Sequence, residues 1–135
     1  MPTPLVSYWS AWNEPDVGHV LRHLAHAVED DVEWNDPRDS FVGIFELEAA
    51  IRRFRIGKPG YRFVIASEVD HHHNRFRYRW DMVVRGRILM EGLDIATVGS
   101  TGLISRVDGF FGHPTPISRD QSGVPAVLRG EHHGG

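Results

Sequence analysis

The chain has 135 residues, of which 41% are hydrophobic and 24% are charged, and its formal net charge is −3 at pH 7. These values are typical of one globular domain, and the weak negative charge gives no basis for binding nucleic acid or an anionic membrane. The absence of cysteine excludes disulfides, thiolate catalysis and cysteine-ligated zinc. No apolar run approaches the roughly 18 residues of a membrane span, and residues 1–4 lack a signal-peptide pattern, so we expect a cytoplasmic protein.

The first part of the chain predicts three helices and one short strand. A helix over residues 3–13 opens with Thr-Pro and places its apolar residues at helical spacing. A second helix begins after Asp16 and carries an apolar stripe that runs to residue 28. Residues 32–35 predict a short strand, which an Asp-Pro pair closes, and a polar loop then leads to a third helix over residues 44–55.

From Tyr61 onwards the hydrophobic period changes from that of a helix to two, which predicts strands. The first strand covers residues 61–69, and the clearest follows at 75–82, where aromatic and apolar residues alternate with arginines. An Arg-Gly-Arg turn leads to a strand over residues 88–98, and a last strand follows over residues 103–112. Helices followed by an antiparallel meander predict an α+β domain.

The predicted architecture is one domain over residues 1–112, in which a cone-shaped, curved antiparallel sheet wraps around three N-terminal helices and encloses a cavity. Residues 113–135 are rich in Pro, Gly, Ser and His, and they predict a C-terminal arm. The strand over residues 88–98 is apolar on both faces. We therefore expect a homodimer through the outer face of the sheet, at the positions of Leu89, Leu93 and Ile95.

Three polar side chains occur in apolar surroundings and in three different predicted elements. Tyr8 lies in the apolar stripe of the first helix, Asp36 follows the short strand, and Asp94 interrupts an apolar strand. Burial makes a carboxylate costly and raises its pKa. Together in one cavity, these groups would supply a proton acceptor and two hydrogen-bond donors, which suits proton transfer on a small apolar molecule.

Four short motifs occur in an order that resembles the nuclear-transport-factor-2-like superfamily, and especially its SnoaL-like polyketide cyclases and ketosteroid isomerases. The motifs are YWSAWN at residues 8–13, WNDP at 34–37, EGLD at 91–94 and RVDGFFG at 106–112. The resemblance covers about residues 5–112 and implies the roll of the cystatin-like fold.

The resemblance also implies roles for individual residues. Asp36 matches the general base of ketosteroid isomerases, while Tyr8 and a protonated Asp94 match the pair that holds the enolate oxygen. The implied activity is an isomerisation or cyclisation next to a carbonyl group, without a cofactor. The implied pocket residues come from the first helix and from three strands: Trp12, Trp34, Tyr78, Trp80, Met82, Val107, Gly109 and Phe111.

Several alternatives stay open at the level of sequence. The same fold hosts non-catalytic ligand-binding proteins and structural dimers, so fold alone does not establish activity. An epoxide-hydrolase-like site would need Arg79, Asp81 and Asp108 in the cavity, but the period of two places them on the outer face. The run 71–73 contains three histidines without an evident further ligand, so we expect no metal site there.

Overall fold

A computed structural model of the protein describes residues 1–117. Helix α1 covers Thr3–Asn13 and has a proline in its first turn. The first amide groups of a helix have no intrahelical acceptor, so proline, which lacks an amide hydrogen, is well tolerated there. A short 3-10 turn at Val17–His19 precedes helix α2, Val20–Ala25, and helix α3 covers Ile44–Gly57. The three predicted helices are present. No helix among residues 1–117 is long and apolar enough to cross a membrane.

Seven strands form one curved, unclosed sheet against which the helices pack. Their order is β2-β1-β7-β6-β5-β3, and the short strand β4 pairs with one end of β5. All pairings are antiparallel except that of β1 with β7, so the sheet is mixed rather than wholly antiparallel. The strands, numbered in chain order, are Val28–Asn35, Ser40–Val42, Tyr61–Ile65, Asp70–His72, Arg75–Val84, Arg87–Val98 and Ile104–Phe111.

The predicted α+β domain and its four-strand antiparallel meander are confirmed, but several element bounds differ. Helix α2 ends at Ala25 rather than near residue 28, because Val28 already begins β1. The acidic residues 29–31 have low strand propensity, yet they join β1, where an irregular register next to β7 leaves two of them exposed. The polar loop after Asp36 contains β2. The predicted strand over residues 61–69 ends at Ile65 as β3, and the separate short strand β4 begins at Asp70.

A β-bulge changes the orientation of one residue that the sequence placed on the outer face. Met82 pairs with Met90, but the next pair joins Val83 to Ile88, so Leu89 is an extra residue in β6. Leu89 consequently lines the inner cavity, although it is 52% exposed. Its predicted place in an outer apolar face is therefore wrong.

The predicted C-terminal arm falls mostly on residues 118–135, which lie outside the described residues. His113, at its start, contacts the outer face of the sheet, where its imidazole lies 3.0 Å from a carboxylate oxygen of Glu91.

Candidate functional site

A cavity of about 440 Å³ lies between the helices and the inner face of the sheet. This volume falls within the range of roughly 300–1,000 Å³ that is usual for small-molecule sites. Tyr8, Asp36 and Asp94 all line it, although they come from α1, the end of β1 and β6. Of the predicted pocket residues, all line the cavity except Tyr78 and Val107, which are buried in the core.

Asp94 lies inside the protein because it shares the inner face of the sheet with Tyr78 and Trp80. The inner residues of β5 and β6 alternate with outer ones, and Asp94 pairs directly with Tyr78. The indole Nε1–H of Trp80 donates to one carboxylate oxygen of Asp94 at 3.0 Å, and the hydroxyl of Tyr78 donates to the other at 3.0 Å. The side chain is therefore held in one orientation by two neutral donors.

Burial raises the pKa of Asp94 to about 7. The hydrogen bonds from Trp80 and Tyr78 act in the opposite direction, and the negative charges of Asp36 and Asp108 add to the rise. Asp94, which is only 5% exposed, therefore exists in both protonation states near neutral pH. A group in this condition can both accept and return a proton.

Two glycines make the space in which Asp94 and its donors fit. A Cβ atom on Gly92 would overlap the indole ring of Trp80, which is the ring that donates to Asp94. A Cβ atom on Gly109 would lie 2.9 Å from Oδ1 of Asp94 and 3.7 Å from the Cβ of Asp36. Glycine inside a strand commonly marks such a close approach, so this signal was present in the EGLD and DGFF motifs.

Tyr8 is 1% exposed, and its hydroxyl oxygen accepts a hydrogen bond of 2.7 Å from the indole of Trp34. Among residues 1–117, no acceptor is present for the hydroxyl hydrogen itself, which leaves that hydrogen for a molecule in the cavity. Burial, together with the charge of Asp94, raises the pKa of Tyr8 well above its ordinary value. Tyr8 is consequently a neutral donor at physiological pH.

Asp36 both forms a turn and faces the cavity. Its Oδ1 accepts the backbone N–H groups of Arg38 and Asp39, each at 2.8 Å, directly after Pro37. The side chain is half-buried and contributes to the cavity lining. One oxygen of this carboxylate is therefore already engaged in local structure.

Both hydrogen bonds at Asp94 are donated to its carboxyl group, by Trp80 and Tyr78. The role implied by the resemblance requires the opposite direction, in which a protonated Asp94 donates to the enolate oxygen. An indole N–H can only donate, so Trp80 matches an unprotonated oxygen of Asp94. The ionised form of Asp94 thus has both oxygens satisfied, and the arrangement fits a proton acceptor better than a permanent donor.

The cavity also contains residues that the sequence did not single out as site residues. Aromatic side chains of Trp9, Phe54 and Phe63 form part of the wall. Arg53 is a further lining residue, and helical spacing from Ala50 could have identified it, since the two positions share one face of α3.

The residues of the alternative hydrolase site do not line the cavity. Arg79 instead lies 3.7 Å from Glu91, and Asp108 accepts from Arg106 at 2.8 Å and from Asn35 at 3.3 Å. Among residues 1–117, no group of three or more His, Asp or Glu side chains could hold a metal ion. His71 stacks on Phe76 with ring centroids 4.6 Å apart.

No family model and no curated protein sequence matches the chain. Among solved structures, a SnoaL-like family protein from Agrobacterium tumefaciens strain C58, for which an isomerase activity has been suggested, is 30% identical. The match has a TM-score of 0.77 and covers 82% of this chain and 96% of that one. An NTF2-like protein of unknown function from Exiguobacterium sp. 255-15 is 16% identical, with a TM-score of 0.69 and coverage of 83% and 100%.

A protein of unknown function with a cystatin-like fold, from Methylobium petroleophilum PM1, is 15% identical. That match has a TM-score of 0.65 and covers 98% of this chain and 90% of the other. The two matches below 20% identity support the fold alone, while the Agrobacterium relative is similar over almost its full length. The chain therefore belongs to the SnoaL-like family, and it shares the fold of NTF2-like proteins.

Proposed function

We propose that the protein is a cofactor-independent isomerase or cyclase that moves a proton next to a carbonyl group of a small, mainly apolar compound. The observation that carries this proposal is Asp94, a buried carboxyl group with a pKa of about 7 in the wall of a 440 Å³ cavity. Tyr8 lines the same cavity and has a hydroxyl hydrogen to donate. The isomerase activity suggested for the Agrobacterium relative agrees with this proposal.

In the proposed reaction, the Asp94 carboxylate accepts a proton from the carbon next to the carbonyl. The electrons of that C–H bond form the C=C bond of an enolate, and the enolate oxygen accepts the hydrogen of Tyr8. In a substrate with a C=C bond beyond that carbon, the enolate extends into a dienolate. Asp94 then gives the proton to the far end of the former C=C bond as the double bond shifts and the C=O bond re-forms, which completes an isomerisation. In a cyclisation, the enolate carbon instead bonds to a second carbonyl carbon, and the resulting alkoxide takes the proton. A preorganised donor such as Tyr8 contributes about 2.7–4 kcal/mol to such a step.

This assignment differs from the roles implied by the resemblance, in which Asp36 is the base. We favour Asp94 because it is almost fully buried in the cavity wall and has a pKa of about 7, while Asp36 is half-buried and its Oδ1 is held in a turn by two backbone N–H groups. The charge of Asp36 raises the pKa of Asp94. In this scheme, Asp36 acts as a positioning residue that keeps Asp94 basic enough to accept the proton.

The pH dependence of turnover separates the two assignments. If Asp94 is the base, turnover rises with pH through about 7 and reaches a plateau, because the ionised form accumulates. If neutral Asp94 is instead the donor, turnover falls with pH through about 7. Asp36→Asn would shift the rising limb to lower pH in the first case and would abolish turnover in the second.

A non-catalytic ligand-binding protein is the second candidate. It is favoured by the fact that both oxygens of Asp94 and one oxygen of Asp36 already accept hydrogen bonds from the protein itself. In that case the carboxyl groups would orient a bound molecule without reacting with it.

Exchange of carbon-bound hydrogen tests the proposal directly. A panel of apolar ketones in D₂O is incubated with the protein, and loss of the proton signal next to the carbonyl is followed by NMR. We expect Asp94→Asn to lose about 10²–10⁴-fold in exchange rate, as is usual on removal of a general base. Asp81→Asn is the matched control, because Asp81 lies on β5 but does not line the cavity. Undiminished exchange in Asp94→Asn, or no exchange above buffer with the wild type, would contradict the proposal.

A further inference from the structure

Three positively charged side chains lie at the open end of the cavity. Arg38, Arg53 and Lys58 all contribute to its lining and are all exposed, whereas Asp94 and Tyr8 are buried at its closed end. The cations come from the loop after β1, from α3 and from the segment after α3. The exposed part of the cavity lining therefore carries three cations against one carboxylate, Asp39, and the buried part contains Asp94, a carboxyl group with a raised pKa.

Contacts with aromatic rings keep two of these cations beside the cavity wall. The guanidinium carbon of Arg38 lies 5.6 Å from the ring centroid of Phe111. The ammonium group of Lys58 lies 5.7 Å from the ring of Phe54 and 5.5 Å from that of Tyr61. All three rings line the cavity, so these cation–π contacts place positive charge at its rim.

No carboxylate among residues 1–117 lies within 4 Å of these three cations. Asp36 and Asp39 also line the cavity, but neither is ion-paired with Arg38, Arg53 or Lys58. Arg52, the neighbour of Arg53, instead pairs with Glu48 at 3.8 Å and does not line the cavity. The charge at the mouth is thus left for an anion that enters from outside.

We propose that the cavity binds amphipathic carboxylates, with the apolar body inside and the carboxylate held by Arg38, Arg53 and Lys58 at the mouth. A planar guanidinium group can donate two parallel hydrogen bonds to a carboxylate, which suits the two arginines. The anion site and the proposed function, on which this part of the inference rests, together define the substrate as an apolar keto acid. Its carbonyl group lies next to Asp94 and Tyr8, and its carboxylate remains near solvent.

A matched pair of probes tests the anion site. The probes are 1-naphthylacetate and 1-naphthylacetamide, which have the same shape but differ in charge, and binding is measured by isothermal titration calorimetry. With the full-length protein in about 20 mM salt, we expect the carboxylate to bind about tenfold more tightly than the amide, since each partly exposed ion contact supplies a factor of a few. In about 500 mM salt this preference should largely disappear, because salt screens exposed charges.

The cations are tested by the triple variant Arg38→Gln, Arg53→Gln, Lys58→Gln, with Arg52→Gln as the control from the other side of α3. The triple variant should bind the two probes equally, and its circular dichroism and urea midpoint should remain near those of the wild type. The Arg52→Gln control should keep the preference for the carboxylate. Equal binding of both probes by the wild type, binding of neither probe, or an undiminished preference in the triple variant would each overturn the proposal.

The two proposals can fail separately. Asp94→Asn should lose hydrogen exchange yet keep the preference for the carboxylate, because Asp94 lies away from the mouth. If that variant retains exchange, the proposed function fails and the anion site stands. If the wild type catalyses exchange but does not prefer the carboxylate, the anion site fails and the proposed function stands.

Discussion

Replacing Asp94 with asparagine is expected to stabilise the folded protein at alkaline pH while it removes the proposed proton acceptor. The ionised carboxylate is buried in an apolar cavity wall, and an uncharged side chain of the same shape avoids the cost of that charge. Asparagine can still accept from Trp80, and its amide group can donate to Tyr78 because a hydroxyl group also accepts. The local packing is therefore preserved.

The magnitude follows from the pKa of Asp94, which rises from an ordinary value of 3.8 to about 7. At about 1.36 kcal/mol per pKa unit, this rise corresponds to about 4 kcal/mol. Between these two pH values the folded protein holds a proton that the unfolded chain has lost, so the free energy of unfolding falls as pH increases. The loss is complete above pH 7, and the stability is fully present below pH 3.8.

Urea denaturation at several pH values from about 4 to 8.5 measures this effect in the wild type and in Asp94→Asn. The variant should be more stable by up to about 4 kcal/mol at the highest pH, and the difference should shrink towards zero at the lowest. Asp81→Asn serves as the control, because Asp81 lies in the same sheet outside the cavity lining, and its difference from the wild type should vary little with pH. A constant difference between Asp94→Asn and the wild type across the range would refute the reasoning.

Three further predictions concern packing and assembly. Gly92→Ala should displace the indole of Trp80 and destabilise the fold by about 1–3 kcal/mol, which urea denaturation followed by tryptophan fluorescence would detect. A urea midpoint equal to that of the wild type would show that the sheet accommodates the methyl group. Tyr8→Phe leaves the buried N–H of Trp34 without its acceptor and should cost about 1–3 kcal/mol in the same assay; no loss would mean that another acceptor replaces the hydroxyl. With Leu89 in the cavity lining, the homodimer predicted from the sequence depends on Leu93 and Ile95. In sedimentation at micromolar concentration, the wild type should be a dimer and Ile95→Glu a monomer. A monomeric wild type would contradict the predicted dimer.

Local sequence pattern was sufficient to predict the inner face of the sheet around the site. The period of two over residues 75–82 places Tyr78, Trp80 and Met82 on one face, and all three are buried there. Asp94 was recognisable because a carboxyl group seldom occurs at an inward position of an apolar strand. These inferences depend only on the geometry of a single strand, which neighbouring residues specify.

The same reasoning failed where pairing between strands decides the outcome. Leu89 reverses its orientation because a bulge inserts one residue between the pairs of β5 and β6, and the regular alternation of β6 does not reveal this. Strand β1 begins at Val28 because Val28 pairs with Ile104 of β7, and the acidic residues 29–31 fall in the register irregularity between Val28 and Glu33, which short-range pattern does not reveal.

The sequence by itself determined the order of the three helices and the five longer strands and the inner face of the sheet, because each depends on short-range periodicity. Apolar surroundings and the family resemblance together identified the three polar residues that reach the cavity. Only the tertiary structure decided that Trp80 and Tyr78 donate to Asp94, that Asp36 bonds to its own turn, and that Arg38, Arg53 and Lys58 line the same cavity. These features join residues distant in sequence, and their geometry depends on how the sheet curves around the helices.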